Sequence, residues 1–222
     1  MIIEIKNYTK RINKTEVLGD IKLQLLSGSV YGLKGKNGSG KTMLMRAIAG
    51  LITPSEGYVS IDGQILGKDI DFPSSIGALI ERPAFIDYYT GKKNLELVAS
   101  IQHRISKDEI RTALISVGLD PNDKRTYKKY SLGMKQRLGI ACAIMGAPEI
   151  IILDEPFNGI DDAGVDGIRS TIASLKENNR IIILACHDSN ELDDLSDVIF
   201  TIKGGKIVEV SKTCKEPHGK IM

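Results

Sequence analysis

GKNGSGKT, Gly35 to Thr42, is the stretch on which the fold turns. It fits the pattern G-x-x-x-x-G-K-[ST] at Gly35, Gly40, Lys41 and Thr42. An apolar run, VYGLK (30–34), precedes it, and a helical pattern over Thr42–Leu51 follows. Glycines let successive backbone N–H groups turn inward around phosphate oxygens, and a helix start adds a favourable partial charge. The pattern therefore assigns Gly35, Lys36, Asn37, Gly38, Ser39, Gly40, Lys41, Thr42 and Met43 to a phosphate cradle. In such a cradle Lys41 is a point charge for the β and γ phosphates, and Thr42 offers a hydroxyl to Mg²⁺.

Further along, IIILDEP (150–156) puts two acids directly after four apolar residues. A carboxylate ending a buried strand sits at the rim of the sheet, where ligands bind in α/β folds. Asp154 is then the expected partner of Mg²⁺, and Glu155 the orienter or base for an attacking water. His187 ends a second apolar run, IIILAC (181–186), and reaches the same edge, where it is expected to donate a hydrogen bond to the γ-phosphate.

The rest of the chain is ordinary for a globular protein. It has 222 residues, 42% hydrophobic and 26% charged, with 30 basic and 28 acidic side chains and a net charge of +2. That balance excludes a nucleic-acid binder driven by bulk charge. Three widely spaced cysteines, Cys142, Cys186 and Cys214, fit reduced thiols better than a disulfide framework or a metal site. No run approaches the roughly 20 apolar residues needed to cross a bilayer. The N-terminus MIIEIKNYTK has no signal-peptide core. The chain is expected in the cytoplasm, reaching a membrane only through a partner.

Alternation marks strands at Met1–Ile5 and Ile21–Leu25, and Asp62-Gly63 marks a hairpin turn within 57–66. Ile76–Ile80, Ile150–Leu153 and Arg180–Ala185 are apolar enough for buried strands, and Val198–Ile202 with Lys206–Val210 form a closing hairpin. Gly91–His103, Lys107–Val117, Leu132–Met145 and Asp162–Glu177 carry helical spacing. The expected fold class is α/β, with a P-loop core built on a mostly parallel sheet with helices on both faces, an N-terminal antiparallel portion and an inserted helical subdomain. The core lobe comprises about 1–81 and 147–211, the helical lobe about 82–146, and 212–222 is a tail.

YSLGMKQR (130–137) is a second helix start able to hold an anion. The order of phosphate loop, helical lobe, YSLGMKQR, IIILDEP, NGID (158–161) and CHD (186–188) resembles the ATP-binding subunits of ABC transporters, across almost the whole chain. IGALIERPAF (76–85) and YTGKKNLEL (89–97) resemble the subgroup serving bacitracin and lantibiotic resistance or immunity. The resemblance implies a head-to-tail pair of nucleotide-binding subunits, either a homodimer or this chain with a paralogue. Ser131 and Gly133 of one would close over ATP held by the other, and Asp161 would lie between the two sites. It implies ATP and Mg²⁺ as cofactors, a membrane permease as partner, a place at the inner face of the cell membrane, and export of, or immunity to, a peptide antibiotic.

Four positions depart from the family pattern. Leu132 stands where a signature glycine is usual, Met134 where a glutamine is usual, and Glu81 where most members carry a glutamine that touches Mg²⁺. Glu81 keeps an acceptor but adds a third acid near Asp154 and Glu155. Unit charges ~4 Å apart repel by about 1 kcal/mol in water and about 4 kcal/mol at an effective dielectric of 20. A repulsive empty dimer face, and hence monomers without nucleotide, is the expectation. Ile12 aligns with the adenine-stacking aromatic, which predicts weak base selectivity.

Other users of this loop fit less well. DNA-linked relatives insert long coiled coils between cradle and signature, and about ninety residues separate them here. Translation-linked relatives carry two cassettes per chain. A GTPase needs an aspartate that NKTE (13–16) lacks, and a small-molecule kinase would not place Glu155 after Asp154. An ABC-type ATPase of a DNA- or translation-linked complex is the alternative.

Overall fold

The computed structural model describes residues 1–102, 105–186 and 189–212. The chain opens with a long antiparallel hairpin, β1 (Ile2–Ile12) and β2 (Thr15–Leu26), and continues into β3 (Ser29–Lys34). The phosphate loop follows, then α1 (Lys41–Ile48), β4 (Glu56–Ile61), β5 (Gln64–Ile65) and β6 (Ile76–Leu79). The middle is helical, with α2 (Gly91–Gln102), α3 (Lys107–Ser116), a short 3-10 turn at Tyr127–Lys129 and α4 (Leu132–Ile144). Strands and helices then alternate through β7 (Ile150–Asp154), α5 (Asp162–Glu177), β8 (Ile181–Ala185), α6 (Ser189–Leu195), β9 (Val198–Lys203) and β10 (Lys206–Lys212).

Two sheets result. The order β2-β1-β4-β5 is wholly antiparallel, and the order β10-β9-β3-β8-β7-β6 is parallel except at its β10 edge. Every residue of β7 and β8 is buried, as both-sided burial of a parallel sheet requires. Their side chains alternate between two cores. Ile150, Ile152, Ile181 and Ile183 pack with Leu44, Met45 and Ile48 of α1 and with the antiparallel sheet. Ile151, Leu153, Ile182 and Leu184 pack with α4, α5 and α6 in a core that runs on into α2 and α3. The helical segment thus shares one continuous core with the sheet, and α4 lies directly against β6 and β7.

Three features differ from the sequence expectation. Helices cover both faces of the six-stranded sheet as expected, but among the described residues the face that carries α1 is shared with the whole antiparallel sheet. The first hairpin runs on past Ile5 to Ile12, because register shifts near Tyr8 and Lys10 break the alternation that marks a strand in sequence. Helix α6 was not expected. Its seven residues, SNELDDL, are strongly polar, and Leu192 is fully buried beneath them.

Candidate active site

The cradle lies where β3 gives way to α1. Gly40 turns the chain at φ 113, a backbone conformation open to glycine and costly for a residue with a Cβ. No acid stands in the first turn of α1, so the positive end of the helix is left for a ligand. Lys41 is only 6% exposed, and its ammonium donates to the carbonyls of Gly35 at 2.7 Å and Lys36 at 3.4 Å. Ser39 closes the loop by donating its N–H to the Lys36 carbonyl, and its own carbonyl accepts from the Gly205 N–H at 2.8 Å. The Ser39 hydroxyl is buried with no hydrogen-bond partner among the described residues. A buried hydroxyl beside a helix start, with its donor unused among the described residues, suits a phosphate oxygen as acceptor.

Across the loop, the Thr42 hydroxyl donates to Asp154 Oδ2 at 2.7 Å. Asp154 is the last residue of β7 and is 6% exposed. Glu155 follows with φ 51, in the left-handed region, where an L-residue is strained by roughly 1–2 kcal/mol. Its N–H donates to the Ala185 carbonyl at 2.8 Å, and its carbonyl accepts from Gln136 Nε2 at 2.9 Å. Together, residues 37–43, Asp154 and Glu155 line a cavity of about 410 Å³. That volume falls in the ordinary range for a small-ligand site.

The remaining walls of this cavity were not anticipated. They are Thr15, Glu16 and Val17 at the start of β2, and the Gly204-Gly205 turn between β9 and β10. The hairpin carries the first three there, and its far end was hidden by the broken alternation. The Gly205–Ser39 hydrogen bond carries the second pair, and nothing local in sequence marks it. Ile12 ends β1 at 44% exposure and does not line the cavity. Gly35 and Lys36 also stay outside it, acting through the carbonyls that hold Lys41.

Glu81 follows β6 with φ 65 and shares a neighbouring cavity of about 430 Å³ with Asp154 and Glu155. It does not stand there as an uncompensated third acid. Arg46 of α1 pairs with it at 2.6 Å, and the Glu81 side chain is 63% exposed. An exposed pair of this kind contributes at most about 1 kcal/mol to stability. It does, however, set a positive charge beside Glu81, which lessens the repulsion expected of three neighbouring acids.

The second helix start has a different form. Ser131 is the N-cap of α4, its hydroxyl accepting from the Met134 N–H at 3.2 Å. Leu132 is 64% exposed and leans on Gly159. Gly133 is buried, and a Cβ there would lie 2.7 Å from the Gly159 carbonyl, so this glycine is required by packing within the chain. Asp161 stands at the N-cap of α5, exposed and making no side-chain cap bond. Ser131, Gly133 and Asp161 do not line the cradle cavity. His187 lies outside the described residues. Burial pushes the Cys142 thiol up to about 11, so at neutral pH it is an inert thiol.

Comparison with known proteins agrees with this geometry. A family profile described as "ABC transporter" matches residues 18–158. The chain is 41% identical over 206 residues to the uncharacterized ABC transporter ATP-binding protein YybJ of Bacillus subtilis (strain 168), covering 93% of this chain and 94% of that one. It is 40% identical over 210 residues to the bacitracin transport ATP-binding protein BcrA of Enterococcus faecalis, covering 94% and 68%. It is 35% identical over 208 residues to the lantibiotic transport ATP-binding protein SrtF of Streptococcus pyogenes, covering 93% and 89%. In fold it is similar to the ATP-binding cassette MJ0796, solved as a dimer with ADP and Pi, at a TM-score of 0.86 and 23% identity over 96% of this chain and 100% of that one. By its profile, by relatives matched over nearly its whole length, and by a phosphate loop facing a buried acid, the chain belongs to the ABC transporter family, as one of its ATP-binding, ATP-hydrolysing subunits.

Proposed function

We propose that this subunit powers a separate membrane permease that exports, or confers immunity to, a peptide antibiotic. The names of BcrA and SrtF carry the cargo class. The ATPase role rests on one observation above the others, the Thr42–Asp154 hydrogen bond that joins the phosphate loop to the end of β7.

In this reading the loop N–H groups, Lys41 and the Ser39 hydroxyl receive the phosphates. Phosphoryl transfer asks little of a protein beyond positioning and charge stabilisation, and a buried ammonium with inward-facing amides supplies both. Thr42 and Asp154 are hard oxygen donors already in contact, and one carboxylate with a hydroxyl suits Mg²⁺, which takes its other ligands from phosphates and water. Mg²⁺ would spread the charge of the phosphate oxygens. Glu155 orients the attacking water, and a hydrogen bond to the γ-phosphate is the role assigned to His187.

Ser131 and Gly133 serve a nucleotide held by a second subunit, a copy or a paralogue, with Asp161 between the sites. Residues 82–146 act as the lobe that meets the permease. Its candidate contact surface is the loop before α2, where Ile86, Tyr88 and Tyr89 are exposed. Asn94, almost fully buried, holds that loop through hydrogen bonds with Ile86 and Thr90. A preformed loop carrying exposed aromatics suits partner binding.

The test is Glu155→Gln. Turnover falls by roughly a hundredfold or more while ATP still binds, and ATP-loaded dimers accumulate on size exclusion. Turnover at the wild-type rate removes Glu155 from this role. Co-purification from native membranes identifies the permease.

A further inference from the structure

We infer that Gln136 is a positioning residue for Glu155, tying the helix that presents Ser131 to the carboxylate of the chain's own nucleotide site. This rests on the reading of Glu155 as the group that orients water.

Gln136 is 7% exposed, a buried polar side chain on the second turn of α4. Its amide donates to the carbonyl of Glu155 at 2.9 Å. A carbonyl can only accept, so the NH₂ end of the amide must face it, and the contact fixes the side chain's orientation. The residue it holds is in the left-handed region at φ 51. That backbone persists where its surroundings over-determine it. Here the Glu155 N–H is bound to the Ala185 carbonyl of β8, and the Glu155 carbonyl receives both Gln136 and, at 3.3 Å, the Asn158 N–H. Two of these anchors are backbone groups of the strand and loop around Glu155. Gln136 is a side-chain anchor, and it comes from a different element.

The neighbouring contacts make that element closely fitted. Gly133 packs on the Gly159 carbonyl and Leu132 on Gly159 itself, so the first turn of α4 lies against the loop after Glu155. A shift of α4 is therefore felt at the Glu155 peptide through one hydrogen bond. Where the peptide goes, the carboxylate follows, and displacement of a reacting group by about 1 Å can cost a hundredfold in rate.

The experiment compares Gln136→Leu and Gln136→Met, each near the original volume and without the donor, in the wild-type and Glu155→Gln backgrounds. The full chain is used, with single-turnover ATP hydrolysis followed over hours, fluorescent-nucleotide affinity and melting temperature. The expected result is a kcat about tenfold lower with nucleotide affinity and KM unchanged, and no further loss when Glu155 is already Gln. Equal slowing in both backgrounds, or affinity falling in step with rate, marks a merely structural glutamine and overturns the inference. Unchanged turnover in a folded Gln136 variant also overturns it. Wild-type turnover in Glu155→Gln alone overturns the reading of Glu155 first, and that outcome is separable from the others. If one Gln136 variant fails to fold, the other carries the comparison.

Discussion

The two helix starts of this chain, at Lys41 and at Leu132, share a chemistry and differ in completeness. At the first, glycines and a buried lysine are enclosed by residues from β2, β7 and the β9–β10 turn, and a hydroxyl is left unsatisfied inside. At the second, Ser131 caps its own helix and Leu132 stands 64% exposed at the surface. The first start is enclosed within the polypeptide, while the second is open at its surface. A surface held so closely by Gly133 and Gly159, yet facing outward, fits the role proposed for it toward a second subunit's nucleotide.

The sharpest way to break this contrast is to damage each start separately. Lys41→Ala removes the buried charge and should weaken nucleotide binding by a hundredfold or more, roughly the penalty for losing a charged hydrogen-bond donor in a buried site. Ser131→Arg should leave nucleotide affinity of the isolated chain unchanged yet lower turnover by about a hundredfold. Mixed together, the two inactive variants should regain turnover, one intact composite site per mixed pair. Equal loss of affinity in both variants would show that the second start serves its own chain.

A smaller effect concerns the base. The cavity has no aromatic wall among its described lining, and Ile12 stands apart from it. GTP and ATP should therefore be hydrolysed within about threefold of each other, since no ring contributes stacking beyond area burial. Strict ATP preference would mean that an aromatic reaches the base from elsewhere. The smallest effect is at the join between the two regions. Arg46→Ala should change unfolding stability by no more than about 1 kcal/mol, because the Glu81 end of the pair is exposed. With Glu81 then uncompensated, any tendency of the empty chain to pair should weaken, as sedimentation velocity would show.

Much of the first site was legible because its signals are local. A glycine-rich octapeptide between strand and helix, and two acids behind four apolar residues, declare themselves within ten residues each. The strands β7 and β8 were equally plain, since burial on both faces leaves no polar position in β8 and only the terminal Asp154 in β7. What escaped notice is carried by contacts far apart in sequence. Arg46 and Glu81 lie 35 residues apart, and their pairing lessens the repulsion expected from Glu81. Gln136 and Glu155 meet across 19 residues, and a glutamine in a helix gives no hint of which carbonyl it serves. The reach of Thr15–Val17 to the cradle depends on a bulged hairpin, and bulges erase the twofold rhythm by which strands are recognised.

Lys41 lies folded onto the carbonyls of Gly35 and Lys36. These two carbonyls are the partners that a guest's oxygens would have to replace or share. Arrival becomes an exchange of partners around a standing ammonium, and the loop need not condense from disorder. A weakly charged visitor, such as a nucleoside monophosphate, would gain little from displacing two good carbonyls. The exchange would therefore favour guests rich in negative charge.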